Sequence, residues 1–151
     1  MATANGFALT EMAIPEQTKR FWVYDLDRPD RDWDEAHVAV EDGRIVGFVA
    51  TSWQFWNRRV VLWHIYVDRS ARGQGLGRRL IEMVYDRARR QKALAIFLET
   101  SNFNVPGFRW YRRLGFRLGG LDTTLYSGAE AAEETGICLV KSWPGRGDPP
   151  R

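Results

Sequence analysis

The chain has 151 residues and a single cysteine, Cys138, so no internal disulfide can form and no zinc site can be built from thiolates. Cys138 lies in the apolar run Gly136-Ile-Cys-Leu-Val140, where it reads as a packed small hydrophobe rather than a nucleophile. Long apolar runs are also missing. Nothing approaches the roughly 20 apolar residues of a membrane span, and the N-terminus has no basic region followed by an apolar stretch. These absences predict a cytoplasmic protein with no membrane partner. There are no internal repeats, no helix-turn-helix spacing and no aromatic-and-basic pattern of an RNA-binding sheet, so a nucleic-acid partner is not expected. Positive charge is in small excess, +3 overall and mostly arginine, which suits a small polyanionic ligand.

What is present fits one globular domain: 44% hydrophobic and 27% charged residues, at a length that fills one core and not two. We expect a single domain over 1–143 and a flexible tail over 144–151, where Pro144, Gly145, Gly147, Pro149 and Pro150 crowd together. Seven Trp, eight Phe and five Tyr predict either a bulky core or a cleft lined with rings. Up to about Glu35 the pattern is weak. Phe21-Trp-Val-Tyr24 fits a strand or a helix end, and the acidic stretch after it (Asp25, Asp27, Asp30, Asp32, Asp34, Glu35) contains Pro29. That loop is either solvated surface or a recognition loop for a cationic substrate.

From His37 the signal sharpens. His37–Glu41 alternates, Asp42-Gly43 is a hairpin turn, and Arg44–Thr51 and Val60–Val67 read as the next two strands of an antiparallel meander. The period then changes. Leu76, Leu80, Met83, Val84 and Ala88 recur at helical spacing, with Arg78, Arg79, Glu82, Asp86, Arg87 and Arg90 assigned to the opposite side. Ala93–Leu98 is a short buried strand, so strand, helix and strand form a parallel crossover beside the meander. A second helix is expected over about Pro106–Leu114, stopped by Gly115. Two more strands follow, from Phe116 towards Tyr126 and over Thr135–Trp143.

The most informative segment is Val67-Asp-Arg-Ser-Ala-Arg-Gly-Gln-Gly-Leu-Gly-Arg78. A strand enters a loop with three glycines at alternate positions, and the loop opens an amphipathic helix. Glycines admit a ligand close to the backbone, and the free N–H groups of a helix start favour an anion such as pyrophosphate. The dinucleotide fingerprint is excluded because the third glycine comes one residue early. The triphosphate loop is excluded because Gly77 is followed by Arg78.

Arg72-x-x-Gly75-x-Gly77 after a strand ending in Val67 resembles the acetyl-CoA pyrophosphate motif of the GNAT superfamily of N-acetyltransferases. Asn104, Tyr111 and Leu114-Gly115-Phe116 match the second half of the family pattern, in order. Within the superfamily the chain is most similar to the streptothricin acetyltransferase-like group, through Trp56-Asn57-Arg58, Leu98-Glu-Thr100 with Asn104-Val105, and Gly119-Gly120-Leu-Asp122 with Leu125-Tyr126. The resemblance implies an α/β (α+β) fold, with a mixed sheet of about six or seven strands flanked by helices. It also implies acetyl-CoA as acetyl donor, with no metal.

Residue by residue, it implies that the backbone of Ile65, Tyr66 and Val67 holds the acetyl carbonyl and the pantetheine arm as though the arm were an added strand. Arg72, Gly73, Gln74, Gly75, Leu76, Gly77 and Arg78 would wrap the pyrophosphate. Asn104 would hydrogen-bond the pantetheine amides, and Tyr111 would donate a proton to the departing thiolate. The general base is left open. The streptothricin group usually has Glu-Asp in the strand before the phosphate loop, where this chain has Trp63-His64. Glu99, twelve residues before Tyr111, is the first candidate, against a structural carboxylate at a strand end. His64 is the second, against a satisfied structural histidine. The expected activity is acetylation of a primary amine of a small cationic molecule. A peptide or protein acceptor and a non-catalytic acyl-CoA sensor are the alternatives. Superfamily members are often homodimers, and no exposed apolar stripe in the sequence places such an interface.

Overall fold

A computed structural model of the chain describes residues 2–3, 6–7, 9–10, 12, 32–126 and 133–143. The segment Phe21–Tyr24, the acidic residues Asp25, Asp27 and Asp30, and the tail 144–151 lie outside them. Two short strands, β1 (Ala2–Thr3) and β2 (Gly6–Phe7), pair with each other. The main sheet is built from β3 (Glu35–Glu41), β4 (Arg44–Gln54), β5 (Arg59–Val67), β6 (Ala95–Ser101), β7 (Arg117–Asp122) and β8 (Gly136–Ser142). Two helices accompany it, α1 (Leu76–Arg90) and α2 (Val105–Arg113). The strand order is β3-β4-β5-β6-β8-β7, with β5 and β6 parallel and every other pair antiparallel. The mixed α+β architecture expected from the sequence is therefore the one found.

The β3–β4 turn forms as its residues dictate: Asp42 and Gly43 both take positive φ, 49° and 76°, the requirement of a two-residue hairpin that matches strand twist. Beyond it, Gly47 lets α1 settle on β4, because a Cβ there would stand 3.1 Å from both Leu76 and Leu80. Leu80, Ile81, Val84, Tyr85 and Ala88 of α1 meet Val49, Val60, Leu62, Ile96, Leu98 and Leu139 of the sheet in the core. Tyr111, Phe116 and the partly buried Phe108 and Trp110 extend that core to α2. Lys141 joins the two helices: its Nζ donates to the Tyr85 hydroxyl at 3.2 Å and to the Leu114 carbonyl at 2.5 Å.

The helical period placed the buried face of α1 slightly wrong. Met83, expected in the core, is exposed, and Arg87, expected in solvent, is 4% exposed. Arg87 is buried because both of its terminal nitrogens are engaged, although its Nε has no hydrogen-bond partner. Its Nη1 donates to Thr51 O and Thr51 Oγ1, both at 2.9 Å, and its Nη2 lies 2.6 Å from Asp34. A buried charge persists where it is paired and hydrogen-bonded in this way. Asp34 and Glu35, the end of the acidic stretch, therefore serve the fold, with Glu35 also held by Arg90 at 2.7 and 3.0 Å.

One irregularity shapes the C-terminal half of β5. On β4, Thr51 pairs with Leu62 while the adjacent Ala50 pairs with His64, so Trp63 is an extra residue in β5, a β-bulge. Its indole is tied back by a 2.8 Å hydrogen bond to Ser52 Oγ. On the other side, β5 pairs with β6 only over Arg59–Leu62 against Ala95–Leu98. Past the bulge the two parallel strands part, and β6 continues to Ser101 beside β8 alone.

Candidate active site

The parting of β5 and β6 opens a wedge at their C-terminal ends. On one side it exposes the edge of β5 from His64 to Val67, whose backbone groups on that flank have no ladder partner in β6. Such an edge binds an extended, amide-bearing chain as an added strand. Ile65 and Val67 turn their side chains to the core, whereas His64 and Tyr66 share the opposite face.

At the end of β5 the chain makes one 3-10 turn, Arg69–Ala71, capped by Asp68, whose Oδ1 accepts from Ser70 N at 2.9 Å. Gly73 and Gly75 follow with φ of 78° and 79°, and a Cβ at either would have nothing within 4 Å. The loop is thus an open cradle. Gly75 is the N-cap of α1, there is no acidic residue in the first turn, and Arg72, Arg78 and Arg79 stand around it in solvent. Arg72 is steered by Nε donating to Val67 O at 3.1 Å, and Gln74 by donating to Ser70 O at 3.2 Å. Unpaired helix N–H groups, a backbone without side chains and a ring of arginines fit a pyrophosphate. The arm of an attached ligand would then run along β5.

The second helix forms the other wall. Asn104 is its N-cap, with Oδ1 accepting from Gly107 N at 3.2 Å and Nδ2 donating to Thr100 Oγ1 at 2.9 Å. The residue expected to bind pantetheine amides is thus also a cap, with one N–H and one lone pair left for a ligand. Tyr111 is 8% exposed, packed against Trp110 and Phe116 at centroid distances of 5.2 and 5.7 Å. Burial pushes its phenol well above the ordinary value and the nearby Tyr66 adds to the shift, so the proton stays on Oη throughout the physiological range.

Glu99 is not at a strand end but inside β6, on the face turned away from the helices, opposite Cys138 of β8. The Tyr126 hydroxyl donates to its Oε1. Burial, followed by this hydrogen bond to Glu99, raises the Tyr126 phenol. Cys138 is half-buried on the same face rather than fully packed, and burial, then Glu99 and Asp122, push its thiol up. On β5, His64 continues a row of rings: Trp33 to Phe48 at 5.9 Å, Phe48 to His64 at 6.2 Å, and His64 to Tyr66 at 6.1 Å. One face of the wedge therefore carries aromatic rings on β4 and β5 and the carboxylate of Glu99 on β6. Tyr126 and Arg87 are the residues whose parts the sequence did not reveal. Tyr126 stood in a matching stretch without a role, and Arg87 looked like a solvated helix charge.

Residues 7–116 match the Acetyltransferase (GNAT) family. The streptothricin acetyltransferase of Streptomyces lavendulae is 34% identical over 150 residues, covering 94% of this chain and 79% of that protein. A blasticidin-S acetyltransferase of Streptomyces morookaense is 44% identical over 77 residues, about half of each chain. The crystal structure of a nourseothricin acetyltransferase superposes with a TM-score of 0.81 at 38% identity, over 95% of this chain and 82% of that one. A Bacillus anthracis structure described as a candidate streptothricin acetyltransferase, in complex with acetyl coenzyme A, is 28% identical with a TM-score of 0.66, over 76% and 65%. With the fold, the open phosphate cradle and the parted strands, these findings establish that the chain belongs to the GNAT family and is an acetyl-CoA-dependent N-acetyltransferase.

Proposed function

We propose that the acceptor is a primary amine of a small cationic molecule and that the amine reacts by direct attack within the wedge between β5 and β6. The observation that carries this reading is the wedge itself: a stretch of β5 that β6 does not pair with, a neutral phenol on the helix side and the Glu99 carboxylate of β6 on the other face. When bound, acetyl-CoA supplies the thioester carbonyl that an amine can attack. Gly73 to Arg78, with Arg72, hold the pyrophosphate, the backbone of Ile65, Tyr66 and Val67 orients the arm, and Asn104 offers its remaining amide valences. Tyr111 keeps a proton on Oη beside the β5 edge, where a leaving thiolate can take it. Glu99 accepts the proton of the incoming ammonium, directly or through water, and His64 is the second candidate for that task. The rings of Trp33, Phe48, His64 and Tyr66, facing the same side as Glu99, favour a cation over a neutral acceptor.

The names of the relatives supply the acceptors to try. Release of CoA thiol should be measured with streptothricin, nourseothricin and blasticidin S, with lysine-bearing small molecules, and with lysine-bearing or free N-terminal peptides. Turnover with the small cations and not with the peptides is expected. Turnover with peptides alone would overturn the small-molecule reading, and slow thioester hydrolysis without any acceptor would favour a sensor.

A further inference from the structure

A buried arginine, Arg87, paired with the more exposed carboxylates of Asp34 and Glu35, sits where it can control the wedge. Thr51 is the β4 residue at the register break opposite Trp63. Its side chain is buried, and its carbonyl accepts from Asp34 N at 3.1 Å as well as from Arg87. Arg87 leaves the last turn of α1, the helix whose first turn forms the phosphate cradle. One guanidinium thus grips both oxygens of Thr51 while Asp34 holds it at 2.6 Å and Glu35 faces its Nε at 3.8 Å. The bulge is consequently pinned from both faces, by Arg87 through Thr51 and by Trp63 through Ser52. The apolar contacts of α1, with Leu76 and Leu80 seated over Gly47, hold it against the sheet. The Arg87 hydrogen bonds add directional restraint at the other end of the helix.

We propose that Arg87 is a positioning residue, which sets α1 in register with the β4–β5 bulge and so fixes the separation between the phosphate cradle at Gly73–Arg78 and the open edge of β5. This rests on the reading of those two regions as the two ends of the acetyl-CoA site. A ligand that spans both ends feels the separation, whereas one that occupies the cradle alone does not.

Calorimetric titration of the purified chain with two probes tests this, independently of any acceptor. Acetyl-CoA spans both regions, and ADP carries the pyrophosphate without the arm. Arg87→Met should weaken acetyl-CoA by about tenfold and leave ADP within about twofold. Arg87→Lys keeps a charge near Asp34 but loses the planar fork in which Nη1 reaches both Thr51 oxygens while Nη2 faces Asp34. It should fold even if the methionine variant does not, and should show a smaller loss in the same direction, again for acetyl-CoA alone. Equal losses for both probes, or no loss for either in a folded variant, would overturn the proposal. The underlying reading fails differently: ADP that does not bind the unaltered chain, or a Gly75→Asp variant that binds both probes normally, counts against the cradle and not against Arg87.

Discussion

Tyr111 and Glu99 stand in different environments, and the roles proposed for them rest on that difference. The phenol is walled in by Trp110, Phe116 and the core, so it keeps its proton throughout the physiological range, as the proposed donor must. Tyr111→Phe keeps the ring packing and removes only the hydroxyl. Its kcat should fall by roughly 10²-fold or more while acetyl-CoA affinity and melting temperature barely move. An unchanged kcat would leave the residue a packing role alone. Glu99 faces the open side of the wedge with the Tyr126 hydroxyl as partner. If it is the base, Glu99→Gln should depress turnover and reshape the acidic limb of the rate–pH profile, and His64→Ala should leave that limb in place. The reverse result hands the role to His64. If neither variant alters the limb, the amine loses its proton to water. Rates at saturating acetyl-CoA across the pH range separate the three cases, and the apparent constant belongs to base and acceptor together.

Elements differed in how openly their sequences announced them. The β3–β4 hairpin was legible because Asp42-Gly43 leaves few other conformations, and α1 because its apolar residues recur every three or four positions. The glycine-rich turn into α1 was legible because alternate glycines before a helical period supply the positive φ found at Gly73 and Gly75. The bulge was not. From Val60 to Val67 nearly every residue is apolar or aromatic, so a one-residue insertion leaves no break in any alternating pattern. Nor was the burial of Arg87, because a helical arginine shows its partners Asp34 and Thr51 only after the chain has folded. The Glu99–Tyr126 contact joins residues 27 apart through an irregular connection, where no periodicity operates. Helix α2 was read one residue late because Pro106 marked its start, while the true N-cap is Asn104. That cap makes a checkable claim about the element. A Cβ at Gly107 would collide with the Asn104 amide. Gly107→Ala, which in an open helix is stabilising, should here expel the cap and cost about 1 kcal/mol, as should Asn104→Ala. Thermal unfolding of both single variants and the double should show that the losses do not add. Additive losses would mean the two residues act separately.

Among the described residues, three phenols are held protonated by burial: Tyr85, pushed up to about 12, together with Tyr111 and Tyr126. A group whose folded value is raised stabilises the fold fully below its unfolded value near 10 and loses that contribution as the pH climbs towards the folded one. Stability should therefore decline from about pH 10 upward. Lys141, lowered by burial, adds a weaker opposite trend below that range. Phenolate absorbance for these three tyrosines should appear only together with loss of circular dichroism. Ionisation of all five tyrosines near pH 10 in the folded chain would contradict the burial. The sheet has a further consequence. Trp63 is the inserted residue that ends the β5–β6 ladder after four pairs, and removing it would leave the inward and outward faces of β5 unchanged. A chain lacking Trp63 should be free to zip β5 onto β6 as far as Ser101. It should melt at a higher temperature than the natural protein and no longer bind acetyl-CoA. A variant that melts lower, or still binds, would show that the bulge is not what parts the strands. Activity and maximal stability are in this sense competing solutions for one sheet, a trade that selection for function settles against the tighter fold. On that outcome a single residue holds the protein short of its most stable pairing, and the gap it keeps open is the one proposed for the acetyl transfer.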